Sequence, residues 1–264
     1  GARGLTSAYG APPAIPAAPL AVFQSNTGLL YSMGADGHGD NRGFGMAPGT
    51  SPSMAITPTG YVIAFQANTG VLHTLTQDGV LLNRGFGMAP GTSPSVTATA
   101  TGYVVAFQAN TSVLWTMTDN GVGSNRGFGM RSGTSPSVAR TATGYVVAFQ
   151  ANTTVLWTMT DNGVGSNRGF GMRSGTSPSV ARTATGYVVA FQANTTVLWT
   201  MTDNGAGSNR AFGMATGSSP TVRVTPTGYV VGFQANTGVL WTMTDNGVGS
   251  NRSLGMAAGT NAVV

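Results

Sequence analysis

The chain contains no cysteine, no lysine and no glutamate. Without cysteine there are no disulfides, no thiolate metal sites and no thiol nucleophile. Without lysine and glutamate the usual solvated face of an amphipathic helix is missing, so a helical fold is close to excluded. All 12 basic residues are Arg, all 7 acidic ones are Asp, and charged residues make up only 7% of the chain, where an ordinary soluble domain carries roughly 25%. No apolar run reaches the ~18 residues of a membrane span, and no membrane insertion is expected. Yet 41% of the residues are hydrophobic at a net charge of only +5, which is the wrong composition for disorder. With 40 Gly among 264 residues, the expectation is a soluble, Gly-rich all-β protein.

What is present is a repeat. The string Phe-Gln-(Ala/Ser)-Asn-Thr recurs with its glutamine at Gln24, Gln66, Gln108, Gln150, Gln192 and Gln234, always 42 residues apart. Copies without insertion or deletion, at a period near 40–45 residues, are the mark of propeller blades. Within one copy the strand signals are Ser93–Ala98, Tyr103–Gln108, Val113–Thr118 and Asn125–Met130, with a turn at Asp119-Asn120-Gly121 where Asn-Gly accepts the positive φ of a tight hairpin. The second of these is apolar on both faces, as expected where blades stack face to face. The predicted fold is a six-bladed β-propeller with four antiparallel strands per blade. Gly259–Val264 aligns with Gly133–Val138 at three periods, so the C-terminal strand is expected to join the first blade and close the ring. Residues 1–18, Pro- and Ala-rich, read as an extension or linker, and residues 19–264 as the propeller.

The residues kept from copy to copy are the candidates for function. Asn-Arg occurs in all six copies: Asn41-Arg42, Asn83-Arg84, Asn125-Arg126, Asn167-Arg168, Asn209-Arg210 and Asn251-Arg252. Half of the arginines thus form a ring and not a patch, which argues against nucleic acid as a partner. A guanidinium is a planar donor fork suited to sugar hydroxyls or carboxylates; it equally serves as packing between blades. The aromatic slot of the third strand reads Tyr31, His73, Trp115, Trp157, Trp199, Trp241. A flat ring there suits the C–H face of a pyranose, or wedges neighbouring blades apart. The drift in the first two copies predicts four good sites and two weakened ones. Asp119, Asp161, Asp203 and Asp245 follow at the turn, as sugar acceptors or as turn formers, and Ala35 and Gln77 replace them in copies one and two. Gln24 and its equivalents, with the Asn two residues on, are expected to bond the backbone within their own hairpin turn. The repeated Met reads as core filler, and the single His38 and His73 argue for no metal. No cofactor is implied.

The motif Thr-Ser-Pro-Ser-Val, then Gly-Tyr-Val-Val-Ala-Phe-Gln-Ala-Asn-Thr-(Gly/Thr)-Val-Leu-Trp, resembles the repeats of tectonin-like and tachylectin-like propeller lectins, the bacterial branch most of all. Asn-Arg-Gly-Phe-Gly-Met stands where that family carries a second Trp. The resemblance implies carbohydrate binding at sites repeated between neighbouring blades. An enzyme is not expected, since repeated Asp and two isolated His form no single acid–base constellation. The expected function is a multivalent lectin for cell-surface or wall glycans, secreted, as a protein or as one module of a larger one; the alternative is a non-catalytic protein-interaction scaffold.

Overall fold

The computed structural model describes residues 17–264. The linker expected over 1–18 therefore lies, but for its last two residues, outside the described part. Every regular element is a strand, and the strands form six sheets, each running in chain order. The architecture is the expected six-bladed propeller. Blade four shows the unit: inner strand Ser137–Arg140, second strand Tyr145–Gln150, third strand Val155–Thr160 and outer strand Gly165–Gly171, all antiparallel.

The second strand explains why so uncharged a chain packs. Val147 and Phe149 enter the core shared with blade three, beside Val104, Ala106 and Leu114. Val146 and Ala148, the alternate residues, enter the core shared with blade five, beside Val189 and Phe191. Both faces of the sheet are thus buried, and side-chain alternation sorts one strand into two cores.

Two sets of side chains tie blade to blade. Gln150 Nε2 donates to the Arg173 carbonyl at 2.8 Å, and Thr176 Oγ1 donates to the same oxygen at 2.7 Å. The glutamines therefore do not serve their own hairpin turn. They hold the crossover to the next blade 23 residues on, at a carbonyl that also accepts the Thr176 N–H at 3.1 Å. The Asn two residues on also departs from its expected turn role: the Asn152 N–H reaches the Gly129 carbonyl of blade three at 3.0 Å, and its carboxamide lies over Gly129. The second set is a serine chain around the inner strands. Ser51 N donates to Ser93 Oγ, Ser93 to Ser135, Ser135 to Ser177 and Ser177 to Ser219, each at 2.9 Å and 42 residues apart.

At the closure, Ser219 N donates to Asn261 Oδ1 at 2.6 Å and Thr221 Oγ1 to the Ala262 carbonyl at 2.9 Å. Asn261 stands to blade six as Ser219 stands to blade five, so the C-terminal segment takes the inner position of the first blade. That blade's ladder has three strands, Ala21–Gln24, Leu29–Met33 and Gly39–Gly45, and the C-terminal segment is held through blade six instead. In the register of blade two, where Ser53 faces Ala64 and Met54 faces Ile63, only Val263 and Val264 would oppose this first ladder. The seam is correspondingly open: Phe23 is 40% and Leu254 61% exposed, while Phe65, one repeat after Phe23, is 1% exposed.

Candidate functional site

Each junction between blades is built from two copies of the repeat. In blade four Trp157 lies directly opposite Asn167, with a bulge between Val155 and Trp157. Asn167 Oδ1 accepts the Gly169 N–H at 2.8 Å, closing a turn at Gly169 with φ +74°, a conformation that glycine adopts without steric cost. Side chains alternate along a strand, so Arg168, the next residue, leaves on the opposite face. Its Nε donates to Thr158 Oγ1 at 2.7 Å and its Nη2 to the Tyr187 hydroxyl of blade five at 2.6 Å.

The Asn-Arg pair, expected to act together, is thus divided between two junctions. Arg126 and Phe128 of blade three meet Tyr145, Trp157, Asp161 and Asn167 of blade four. By the same geometry Arg84 joins Trp115, Asp119 and Asn125; Arg168 joins Trp199, Asp203 and Asn209; and Arg210 joins Trp241, Asp245 and Asn251. Arg42 bonds Tyr61 of blade two, the blade that carries His73 and Asn83, and Arg252 is the corresponding residue of blade six, with Tyr31 and Asn41 in the blade that follows it round the ring. In five junctions the arginine bonds a tyrosine of the next blade: Tyr61 at 2.9 Å, Tyr103, Tyr145 at 2.7 Å, Tyr187 at 2.6 Å and Tyr229 at 2.7 Å. Of the two roles open to the arginines, the interblade one is therefore filled in five of six. Replacing Tyr145 with Phe is expected to lower unfolding stability by about 1–2 kcal/mol, near the low end for a bond to a charged group because the pair is only half-buried. Urea titration of the intact chain measures it.

The tryptophans lie deeper. Phe128, Phe149 and Trp157 form a tilted cluster with ring centres 5.8, 5.8 and 6.5 Å apart. Similar Phe–Phe–Trp clusters line the junctions of Trp115, Trp199 and Trp241. The indole N–H of all four is buried and meets no acceptor. At the junction of blades five and six the cluster opens into a pit of about 150 Å³, with Phe212, Phe233 and Trp241 as its floor and Ala211, Asn236 and Thr237 at its rim. The Phe of Arg-Gly-Phe and the Asn of Gln-Ala-Asn-Thr were not singled out as site residues. Their retention in most copies was the available signal, and core and turn roles accounted for it.

Asp119, Asp161, Asp203 and Asp245 are exposed, each folded over a glycine of the inner turn, Gly102, Gly144, Gly186 and Gly228 respectively. Asp161, Asp203 and Asp245 accept the next residue's N–H at 3.1 Å, which is the turn role; their outer oxygens face water. A polar cleft of about 390 Å³ between blades two and three is lined by Tyr61, Gln77, Asp78, Tyr103 and Asp119. The Thr76 hydroxyl on the Asp78 carboxylate holds that carboxyl below the usual range. Among the described residues no three His, Cys, Asp or Glu converge as a metal site, and no helix is long and apolar enough to cross a membrane. His38 of blade one sits exposed 3.6 Å from Asp40, while His73 of blade two lies tilted against Phe65 of its own blade.

No protein-family model matches the chain, and no curated protein does. Solved structures do. The chain is similar to virginiamycin B lyase from Staphylococcus aureus, with a TM-score of 0.61 at 15% identity over 87% of this chain and 78% of that one. It is similar to the SapL1 lectin in complex with alpha methyl fucoside, with a TM-score of 0.60 at 13% identity over 92% and 97%. It is also similar to the six-bladed fungal lectin of Aleuria aurantia, with a TM-score of 0.58 at 16% identity over 90% and 91%. At such identities the likeness supports a class by fold alone, the β-propeller, and the similar structures include both lectins and a lyase.

Proposed function

We propose that the protein is a non-catalytic lectin of the tectonin-like kind, binding cell-surface or wall glycans at several junctions at once, as a secreted protein or module. The observation that carries this reading is the Phe–Phe–Trp cluster repeated at four junctions, opening at Trp241 into an aromatic pit with an amide and a hydroxyl at its rim. An aromatic floor packs the C–H face of a pyranose, and rim groups meet its hydroxyls. The exposed amide of the Asn opposite each Trp and the free oxygen of each turn Asp add donors and acceptors beside the pits. The arginines bond tyrosine through Nη2 and tie the junctions together, with N–H groups left beside the pits. One such pit is shallow and wet, so its useful affinity comes from several pits on one rigid ring. Fucose is a reasonable first probe, since SapL1 and the Aleuria lectin were solved with fucosides.

A glycan array at high protein density, with free-sugar competition, tests the reading. Competed binding to neutral glycans is the expected result. A folded protein silent on the array would overturn it and return the ring to the scaffold alternative.

A further inference from the structure

The sixth junction breaks the pattern of the other five. The residue one repeat before Tyr61 is Pro19, which has no hydroxyl to offer. Arg252 is nevertheless oriented like its five equivalents, its Nε donating to Thr242 Oγ1 at 2.8 Å. Among the described residues its terminal nitrogens meet no acceptor, no carboxylate lies within 4.0 Å, and the side chain is exposed. Ala35 stands where later blades carry their turn Asp, and the carboxylate of this turn is Asp36, one residue on, which accepts the His38 N–H at 3.0 Å. Beyond the gap, Tyr31 holds the aromatic slot, stacked on Phe23 with ring centres 5.8 Å apart, and Asn41 lies directly opposite it. Leu254 replaces the Phe that fills the other junctions.

We propose that the junction of blades six and one binds a carboxylate-bearing sugar, a uronic acid or its like, and differs in specificity from the four neutral pits. This rests on the lectin reading. The coplanar N–H groups of Arg252 that elsewhere bond tyrosine take both oxygens of the carboxylate, a geometry a guanidinium matches and a hydroxyl does not require. The Tyr31 ring takes the apolar face of the sugar, and the Asn41 amide takes a ring hydroxyl. A neutral sugar gives the free guanidinium no counter-charge and so loses at this junction.

The test compares glucuronic acid with glucose on the whole chain by calorimetry and ligand-observed NMR. Glucuronic acid is expected to occupy one site per chain, more weakly as salt rises. Arg252→Ala should weaken it about tenfold or more, and so should Pro19→Tyr, which restores the missing hydroxyl and seals the junction. Arg126→Ala, at a sealed junction, should leave uronate binding unchanged. Equal binding of the two sugars, or uronate binding that survives Arg252→Ala, overturns the proposal. Loss in Arg252→Ala but not in Pro19→Tyr overturns its premise that the absent tyrosine opens the site. Neutral-glycan binding in the same variants keeps the readings apart: if it persists while the uronate site fails, the lectin stands and this inference falls.

Discussion

Changing Trp115, Trp157, Trp199 and Trp241 together to His is expected to reduce retention on a dense glycan surface by on the order of 10²–10⁴. Changing one of them should cost only the share of a single pit, a few-fold. Histidine is the right replacement because the repeat already carries it: His73 fills this slot in blade two, tilted against Phe65 with ring centres 5.7 Å apart. An alanine would instead open a cavity and confuse lost binding with lost folding. The replacement also trades an indole N–H that is buried without an acceptor for a ring whose nitrogen finds the backbone, as His73 Nδ1 does at the Val71 carbonyl at 3.2 Å. Surface plasmon resonance on coated and on sparse surfaces separates avidity from single-site affinity. Abolition by one Trp→His alone would mean that one junction does the binding and the others only pack.

Phe191→Ala is expected to lower unfolding stability by about 3–5 kcal/mol, the range for deleting a fully buried aromatic. Phe191 is 0% exposed and joins Val189, Ala193 and Met201 of its own blade to Val146, Ala148 and Leu156 of blade four. Its ring also contacts Phe170 and Trp199, with centres 5.7 and 6.5 Å away. The void therefore opens at a junction between blades, where the facing sheets cannot collapse without tilting the ring. Thermal unfolding followed by near-UV dichroism should fall by roughly 2–4 °C per kcal/mol for a chain of this size. A change under 1 kcal/mol would show that the junctions relax independently.

The fold was legible because the repeat is: a fixed period, strand-length apolar runs and Asn-Gly turns leave few alternatives. The junction chemistry was legible only as a set of slots. Which slots meet depends on strand alternation: Asn167 shares the face of Trp157, and Arg168, its neighbour in the chain, points to the other face and so to the next junction. The irregularity that follows each Asn is marked by the glycine two positions on, and blades five and six carry Ala211 and Ser253 there instead, at φ +61° and +56°. The glutamines misled for a related reason. Their partner carbonyl lies 23 residues on, and a local hairpin is the nearer explanation for any polar residue beside a turn.

The serine chain has a consequence for how many blades such a ring holds. Each link of this chain runs the same way, from the N–H of the serine just ahead of one inner strand to the hydroxyl of the serine just ahead of the next, so the units join head to tail. Nothing in a single unit specifies the total; any unit can follow any other. Thr111–Asn152 and Thr153–Asn194, alike but for Ser112 and Thr154, are interchangeable links in that sense. Copy number, and with it the number of pits offered to a surface, is therefore a property that can change by whole units without a new contact being invented.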